Sequence, residues 1–321
     1  MCTAISDNFG RHLFGRTLDL ECSFGEEIAV TPRRFHLNFL HGGVLNEHMA
    51  IIGTAHIHGG TPLYYDAANE SGLSAAALNF PGYARYEGER DGKINLASAE
   101  LIPRVLSEFS GVDEVISFLK EVNITDDSVA ADLPVTPLHW IFADATRSIT
   151  VESSESGLRI YENPFGVLTN SPDFSYHTAN LANYAALSSS TPNLNICKEK
   201  LAFYSRGLGA FGLPGDFSSA SRFVRAVFAR SHTIGGEEGL VSRFFHIMDT
   251  LSVPFGAVMT DEGKAVSTVY TSCIDTSSAT YYFTTYKNRR ISSVRLTDKL
   301  ASGRELLLFP MTASEDISVI V

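Results

Sequence analysis

The cysteine directly after the initiator methionine is the residue of this sequence that could do chemistry with the least help from the rest of the chain. Removal of Met1 would leave Cys2 with a thiol and a free α-amine, and an amine with an ordinary pKa of ~7.7–8.0 can take the thiol proton near neutrality. No histidine base is then required. Taken alone, such a residue would be a frayed, inert terminus. The segment Phe14-Gly15-Arg16-Thr17-Leu18-Asp19 changes that balance, because it reads as a strand and places a cation and a carboxylate close behind the terminus. Arg16 beside a thiol favours the thiolate, and Asp19 can accept hydrogen bonds from the α-amine. The plainer reading of that pair is a surface ion pair of little energetic weight.

Other chemical patterns are weaker. Gly207-Leu-Gly209-Ala-Phe-Gly212 has the letters of a dinucleotide fingerprint, but no strand leads into it and Leu213-Pro214-Gly215 breaks the helix that should follow. His56-Ile-His58 would put two imidazoles on one face of a strand without an evident third ligand, so two ordinary strand histidines are expected. The four cysteines, Cys2, Cys22, Cys197 and Cys273, form no C-x-x-C pair, and neither a zinc knuckle nor a disulfide framework is implied. A net charge of -11 argues against nucleic acid as a partner. No run approaches the ~20 apolar residues of a membrane helix, nor does the start of the chain have a secretory leader. A cytoplasmic protein is expected.

These residues need elements to position them. Apolar runs bounded by turn residues predict strands at 13–16, 28–31, 49–57, 73–79, 138–143, 149–152, 158–162, 265–273, 280–286 and 291–296. Helical spacing appears at 99–109, 112–122, 176–187, 220–229 and 237–250, with Pro103 acceptable only in a first turn. Strand runs separated by pairs of helices imply an α+β fold of largely antiparallel sheets with helices on the outer faces. Ser188–Asn195 reads as a surface loop and not a linker, so one domain over 1–321 is expected.

The sequence resembles the choloylglycine hydrolases, the family of bile salt hydrolases and penicillin V acylases, in five blocks kept in order. They are MCT at the start, FGRTLD (14–19), LNFPGYA (78–84), VLTNSPDF (167–174) and GLPGDFSSASRFVRA (212–226). The resemblance implies a four-layer αββα sandwich of the N-terminal-nucleophile hydrolases, Met1 removal without a long propeptide, and hydrolysis of an amide through an acyl-cysteine, without a cofactor or metal. By position it assigns Cys2 as nucleophile, Arg16 as its charged neighbour, and Asp19 as the residue holding the α-amine. Asn79 and Asn170 fall at the oxyanion-hole positions and Arg222 at the remaining active-site arginine. On residue chemistry alone, Asn79 and Asn170 are as readily turn residues, Arg222 a solvated helix-face arginine, and Asp216 a cap or turn residue.

The resemblance also bears on substrate and assembly. Asparagine at position 79, where penicillin V acylases tend to carry tyrosine, favours glycine- or taurine-conjugated bile acids as substrate. Penicillin V or an N-acyl-homoserine lactone is the alternative, acyl transfer to another amine is chemically open, and an inactive ligand-binding member is the reading from another class. Phe24, Phe35, Leu37, Phe39 and Leu63-Tyr64-Tyr65 suit either a sterol-sized pocket or ordinary core. A homotetramer assembled through about 188–219 is a further implication of the resemblance.

Overall fold

The computed structural model describes residues 1–321 except Phe9, Glu237 and Ala313. Among the described residues two antiparallel sheets face each other. The first has seven strands in the order Val167–Leu168, Cys2–Asp7, Leu13–Leu20, Ala265–Asp275, Thr280–Thr285 and Ser292–Arg295, with Val258–Met259 added alongside Ala265–Asp275. The second has eight, in the order Gly157–Glu162, Ser148–Ser154, Leu138–Ala143, Ser74–Asn79, Thr61–Asn69, Ile51–His58, Glu27–Thr31 and Leu307–Pro310.

Central strands here are buried on both faces, so their apolar residues split by pleat between two cores. Ala76, Leu78 and Ile141 point between the sheets, while Ala75, Ala77 and Trp140 point outward under the helices Leu101–Glu108 and Val112–Leu119. The helices Ser219–His232 and Leu240–Asp249 cover the first sheet with Phe223, Phe244 and Met248. The result is the helix–sheet–sheet–helix layering expected from the strand and helix runs. Pro103 lies in the first turn of its helix, as its missing N–H requires.

The expected strands recur within a few residues. Within the two sheets, Cys2–Asp7, Thr61–Asn69, Val167–Leu168, Val258–Met259 and Leu307–Pro310 were not anticipated. The expected helix over 176–187 is Phe174–Asn180 followed by a 3-10 turn, Leu181–Tyr184. That over 237–250 runs from Leu240 to Asp249, its expected first residue, Glu237, lying outside the described residues. The glycines of 207–212 form no phosphate loop. Gly209 packs so tightly against Ser188 and Ser190 that a Cβ would lie 2.0 Å from the Ser190 carbonyl oxygen.

Two histidines make the fold acid-sensitive. Burial lowers the pKa of His12 to about 4, with Asp144 and Asp275 only partly opposing, and burial likewise lowers His177 to about 4. Both unfolded imidazoles have an ordinary value of 6.5, so as pH falls the unfolded chain takes up protons first. Their contribution to stability is complete above pH 6.5 and is lost progressively toward pH 4. Urea midpoints measured across that window should fall, and less steeply in a His12→Asn, His177→Gln double variant. An identical slope in that variant would remove these histidines from the account.

Candidate active site

Cys2 opens the first strand and is 3% exposed. It pairs antiparallel with Leu13–Leu20, with Cys2 opposite Leu18 and Ala4 opposite Arg16. Met1 extends this ladder: its α-amine donates to the Asp19 carbonyl at 2.6 Å and its carbonyl accepts from Asp19 N at 2.9 Å. The main chain of Cys2 is gripped from the other side. Its N–H donates to Asn170 Oδ1 at 2.8 Å, and its carbonyl accepts from Arg222 Nη1.

Arg222 is wholly buried in the first turn of Ser219–His232, which Ser218 caps by accepting from Ser221 N. It therefore does not lie on a solvated helix face. It also donates to Thr3 Oγ1 and Asn170 Oδ1, each at 2.7 Å, and to the Phe217 carbonyl at 3.0 Å. Burial lowers its pKa, and Asp19 and Cys2 oppose that shift. Asp216 is a turn residue, bonded to Ser218 N at 2.9 Å and Ser221 Oγ at 2.6 Å; these bonds hold its carboxyl at about 2.

Arg16 is diagonal to Cys2 across the strand pair and has no exposed surface. It points between the sheets and donates to two main-chain carbonyls of the second sheet, Tyr65 at 3.0 Å and Ala77 at 2.6 Å. Burial opposes its charge, but Cys2, Tyr270, Asp66 and Asp19 together raise its pKa above the usual value. Gly15 permits this placement, because a Cβ there would lie 2.1 Å from the Ser272 carbonyl. The fully buried Asp66 accepts from Tyr270 Oη at 2.5 Å, Tyr281 Oη at 2.8 Å and Ser272 Oγ at 2.8 Å. Burial pushes its carboxyl up, while Arg16 and the hydroxyls pull it back.

Asp19 projects from the opposite face of the same strand. Its carboxylate accepts from Thr17 Oγ1 at 3.1 Å and Thr268 Oγ1 at 2.6 Å, so it forms no surface ion pair with Arg16. Thr268 and Tyr270 would ordinarily share a face, but the pairing shifts between them. That bulge turns Thr268 to Asp19 and Tyr270 to Asp66. With Met1 in place, Asn170 and not Asp19 bonds the Cys2 nitrogen.

Asn170 follows the short strand Val167–Leu168, and Asn79 ends Ser74–Asn79. Asn170 Nδ2 donates to the Asn79 carbonyl at 2.8 Å. Its orientation follows from its partners, since Cys2 N and Arg222 can only donate and the Asn79 carbonyl can only accept. Of the residues assigned by sequence, Asn170 and Arg222 thus meet the Cys2 main chain, Arg16 and Asp19 lie on the strand paired with it, and Asn79 is joined through its carbonyl to Asn170. Asp66 and Thr268 were missed. The only signal for Asp66 is a carboxylate inside an apolar strand run, and none marks Thr268.

A cavity of about 300 Å³ is lined by residues including Phe24, Leu63, Tyr64, Tyr65, Ala77, Val129 and Leu138, two of which, Tyr65 and Ala77, give Arg16 its carbonyl partners; Cys2, Asn170 and Arg222 do not line it. Phe24 and Leu63-Tyr64-Tyr65 of the expected apolar group reach it, whereas Phe35, Leu37 and Phe39 pack in the helix-side core. His56 bonds the Phe24 carbonyl and His58 reaches Asp132, and no metal-ligating cluster occurs among the described residues. No helix there is long and apolar enough to cross a membrane. The 188–219 segment carries a two-stranded hairpin, Asn195–Ile196 with Glu199–Lys200, and exposes Ile196, Phe203, Tyr204 and Phe211.

Two facing antiparallel sheets under outer helices, with a cysteine opening a central strand, constitute the N-terminal-nucleophile hydrolase fold. The profile of the linear amide C–N hydrolases, choloylglycine hydrolase family, matches residues 2–309, and the chain belongs to that family. It is 45% identical over 315 residues to the bile salt hydrolase/transferase of Lactiplantibacillus plantarum, covering 97% of each chain. It is 37% identical to the conjugated bile acid hydrolase of Lactobacillus acidophilus, over 96% of this chain and 100% of that one. The crystal structure of a variant conjugated bile acid hydrolase from Clostridium perfringens superposes with a TM-score of 0.93, at 35% identity and full coverage of both chains.

Proposed function

We propose that the chain, once Met1 is removed, hydrolyses the amide of glycine- or taurine-conjugated bile acids. The observation carrying this reading is the grip on Cys2 by Asn170 and Arg222 in a chain so similar to bile salt hydrolases, with an apolar cavity lined in part by Tyr65 and Ala77, whose carbonyls Arg16 bonds. The α-amine takes the thiol proton, and sulfur attacks the amide carbon. Arg16 is the counter-charge to the thiolate, and Asp19 orients the amine. Asn79 and Asn170 act as donors to the oxyanion, where preplaced dipoles are worth several kcal/mol. Collapse breaks the C–N bond, the ammonium returns its proton to the leaving amine, and a thioester remains. Water, deprotonated by the same amine, then releases the bile acid; an amine in its place would give acyl transfer.

Arg222 acts by fixing the Cys2 main chain. The exposed apolar side chains of 188–219 support assembly as a homotetramer, and a cytoplasmic location belongs to the same reading. Initial rates with glycocholate, taurocholate and penicillin V, compared on one Met1-free preparation, test the substrate. Conjugated bile acids should lead by at least ~10-fold in kcat/KM, equivalent to about 1.4 kcal/mol of transition-state preference. A lead for penicillin V overturns the choice, and a Met1-free protein that turns over none of these nor an N-acyl-homoserine lactone returns the chain to the ligand-binding reading.

A further inference from the structure

The turn carrying Asn170 is held by two histidines that the proposed chemistry does not use. His139, from the strand Leu138–Ala143, sets Nε2 2.9 Å from the Thr169 carbonyl and Nδ1 3.1 Å from Glu152 Oε1. His177, from the helix Phe174–Asn180, sets Nε2 2.8 Å from the Asn170 carbonyl. Both rings are fully buried, and each is stacked on a phenylalanine, Phe80 at 4.3 Å and Phe223 at 4.9 Å between centroids. A carbonyl can only accept, so each Nε2 bears a hydrogen. The stacking fixes the plane in which it is delivered.

The remaining polar groups of the turn are also held by side chains. Ser219 Oγ accepts from Asn170 N at 2.8 Å, leaving its own proton for Thr169 Oγ1 or the Asn170 carbonyl. Glu152 Oε1 meets His139 Nδ1 and also accepts from Phe174 N at 3.0 Å, tying the helix that carries His177 to the ring of His139. An ordinary asparagine turn satisfies its own backbone. This one is gripped through consecutive carbonyls from the second sheet and a helix, which leaves Asn170 little freedom beyond its side-chain torsions. Those torsions are fixed in turn by Cys2 N, Arg222 and the Asn79 carbonyl.

We infer that His139 and His177 are positioning residues that aim Asn170 at Cys2, with Glu152 holding His139 in place. The inference rests on the roles proposed above for Asn170 and Cys2. Burial outweighs the opposing bond to the Asn170 carbonyl and, with His139 and Arg222 adding to it, holds His177 at about 4, so it remains a neutral donor throughout the neutral range. Its Nδ1 has no hydrogen-bond partner among the described residues. One N–H at one position is therefore what His177 supplies, and a glutamine amide can reproduce it.

The test compares His177→Phe, which keeps a stacked ring and loses the donor, with His177→Gln, which keeps a donor, and His177→Asn, which is one bond too short to reach. With glycocholate, the phenylalanine and asparagine variants should lose ~10–100-fold in kcat, as expected for a displaced site group. KM and the thermal midpoint should stay near wild type, and glutamine should restore most of the rate. Wild-type kcat in all folded variants overturns the inference. So does a loss of kcat that tracks unfolding without glutamine rescue. If the phenylalanine variant does not fold, asparagine against glutamine decides alone. Cys2 alkylation by iodoacetamide, located by peptide mass, separates this from the substrate proposal. It should be slowed severalfold in the asparagine variant and restored by glutamine even if none of the three substrates is hydrolysed; equal rates in both overturn the inference.

Discussion

Cys2→Ser is expected to lower kcat on glycocholate by ~10³-fold or more while leaving the fold intact. The base available to residue 2 is its own α-amine, with an ordinary pKa of ~7.7–8.0 against ~8.5 for a thiol. Proton transfer between such groups is nearly balanced, whereas a hydroxyl is a far weaker acid and yields almost no nucleophile with the same base. The packing change is small, because Cys2 is buried at the edge of a core and serine is close in volume. Glycine release and circular dichroism on the same preparation check both halves. A folded serine variant turning over at the wild-type rate would count against the mechanism, and an unfolded one would return Cys2 to a structural role.

The second large effect concerns the residue before it. Protein that retains Met1 should show no measurable hydrolysis, because the nitrogen meant to act as base is then an amide N–H donating to Asn170. Met1 itself is held by both main-chain bonds to Asp19, so it stays in the ladder once the strands pair. Preparations from cells with methionine aminopeptidase active or inhibited will differ in the fraction of chains lacking Met1, which intact mass measures. Activity per mole should follow that fraction through the origin. Equal activity from a fully Met1-bearing sample would exclude the amine as base.

The layered architecture was legible because its strands are apolar on both faces and its helices carry regular apolar stripes. Three of the strands that escaped are only two to four residues long, and the other two have a composition that is mixed for good reason. Cys2–Asp7 contains Thr3, Ser6 and Asp7, each buried, and Thr61–Asn69 carries Asp66 inside the sheet pair. In both cases tertiary partners overcome the preference of polar side chains for water. The site divides in the same way. Arg16 and Asp19 sit near Cys2 in sequence and could be found from spacing. Asn79, Asn170 and Arg222 were reached by resemblance, since their closeness to Cys2 depends on sheet register and on a helix starting at Ser219. Thr268 could not be found at all, because its orientation comes from a one-residue slip in pairing.

That slip divides the labour of the site across the plane of one sheet. Arg16 faces inward, toward carbonyls that belong to cavity residues, while Arg222 holds the Cys2 carbonyl from the helix side and the Asp19 carboxylate, on that same side, is held by Thr268. On the proposed function, acyl recognition by the cavity and activation of the nucleophile would draw on separate sets of side chains. On the same proposal, substitutions at Leu63 or Val129, which line that cavity, would change the acyl group accepted and leave the residues around the Cys2 main chain untouched.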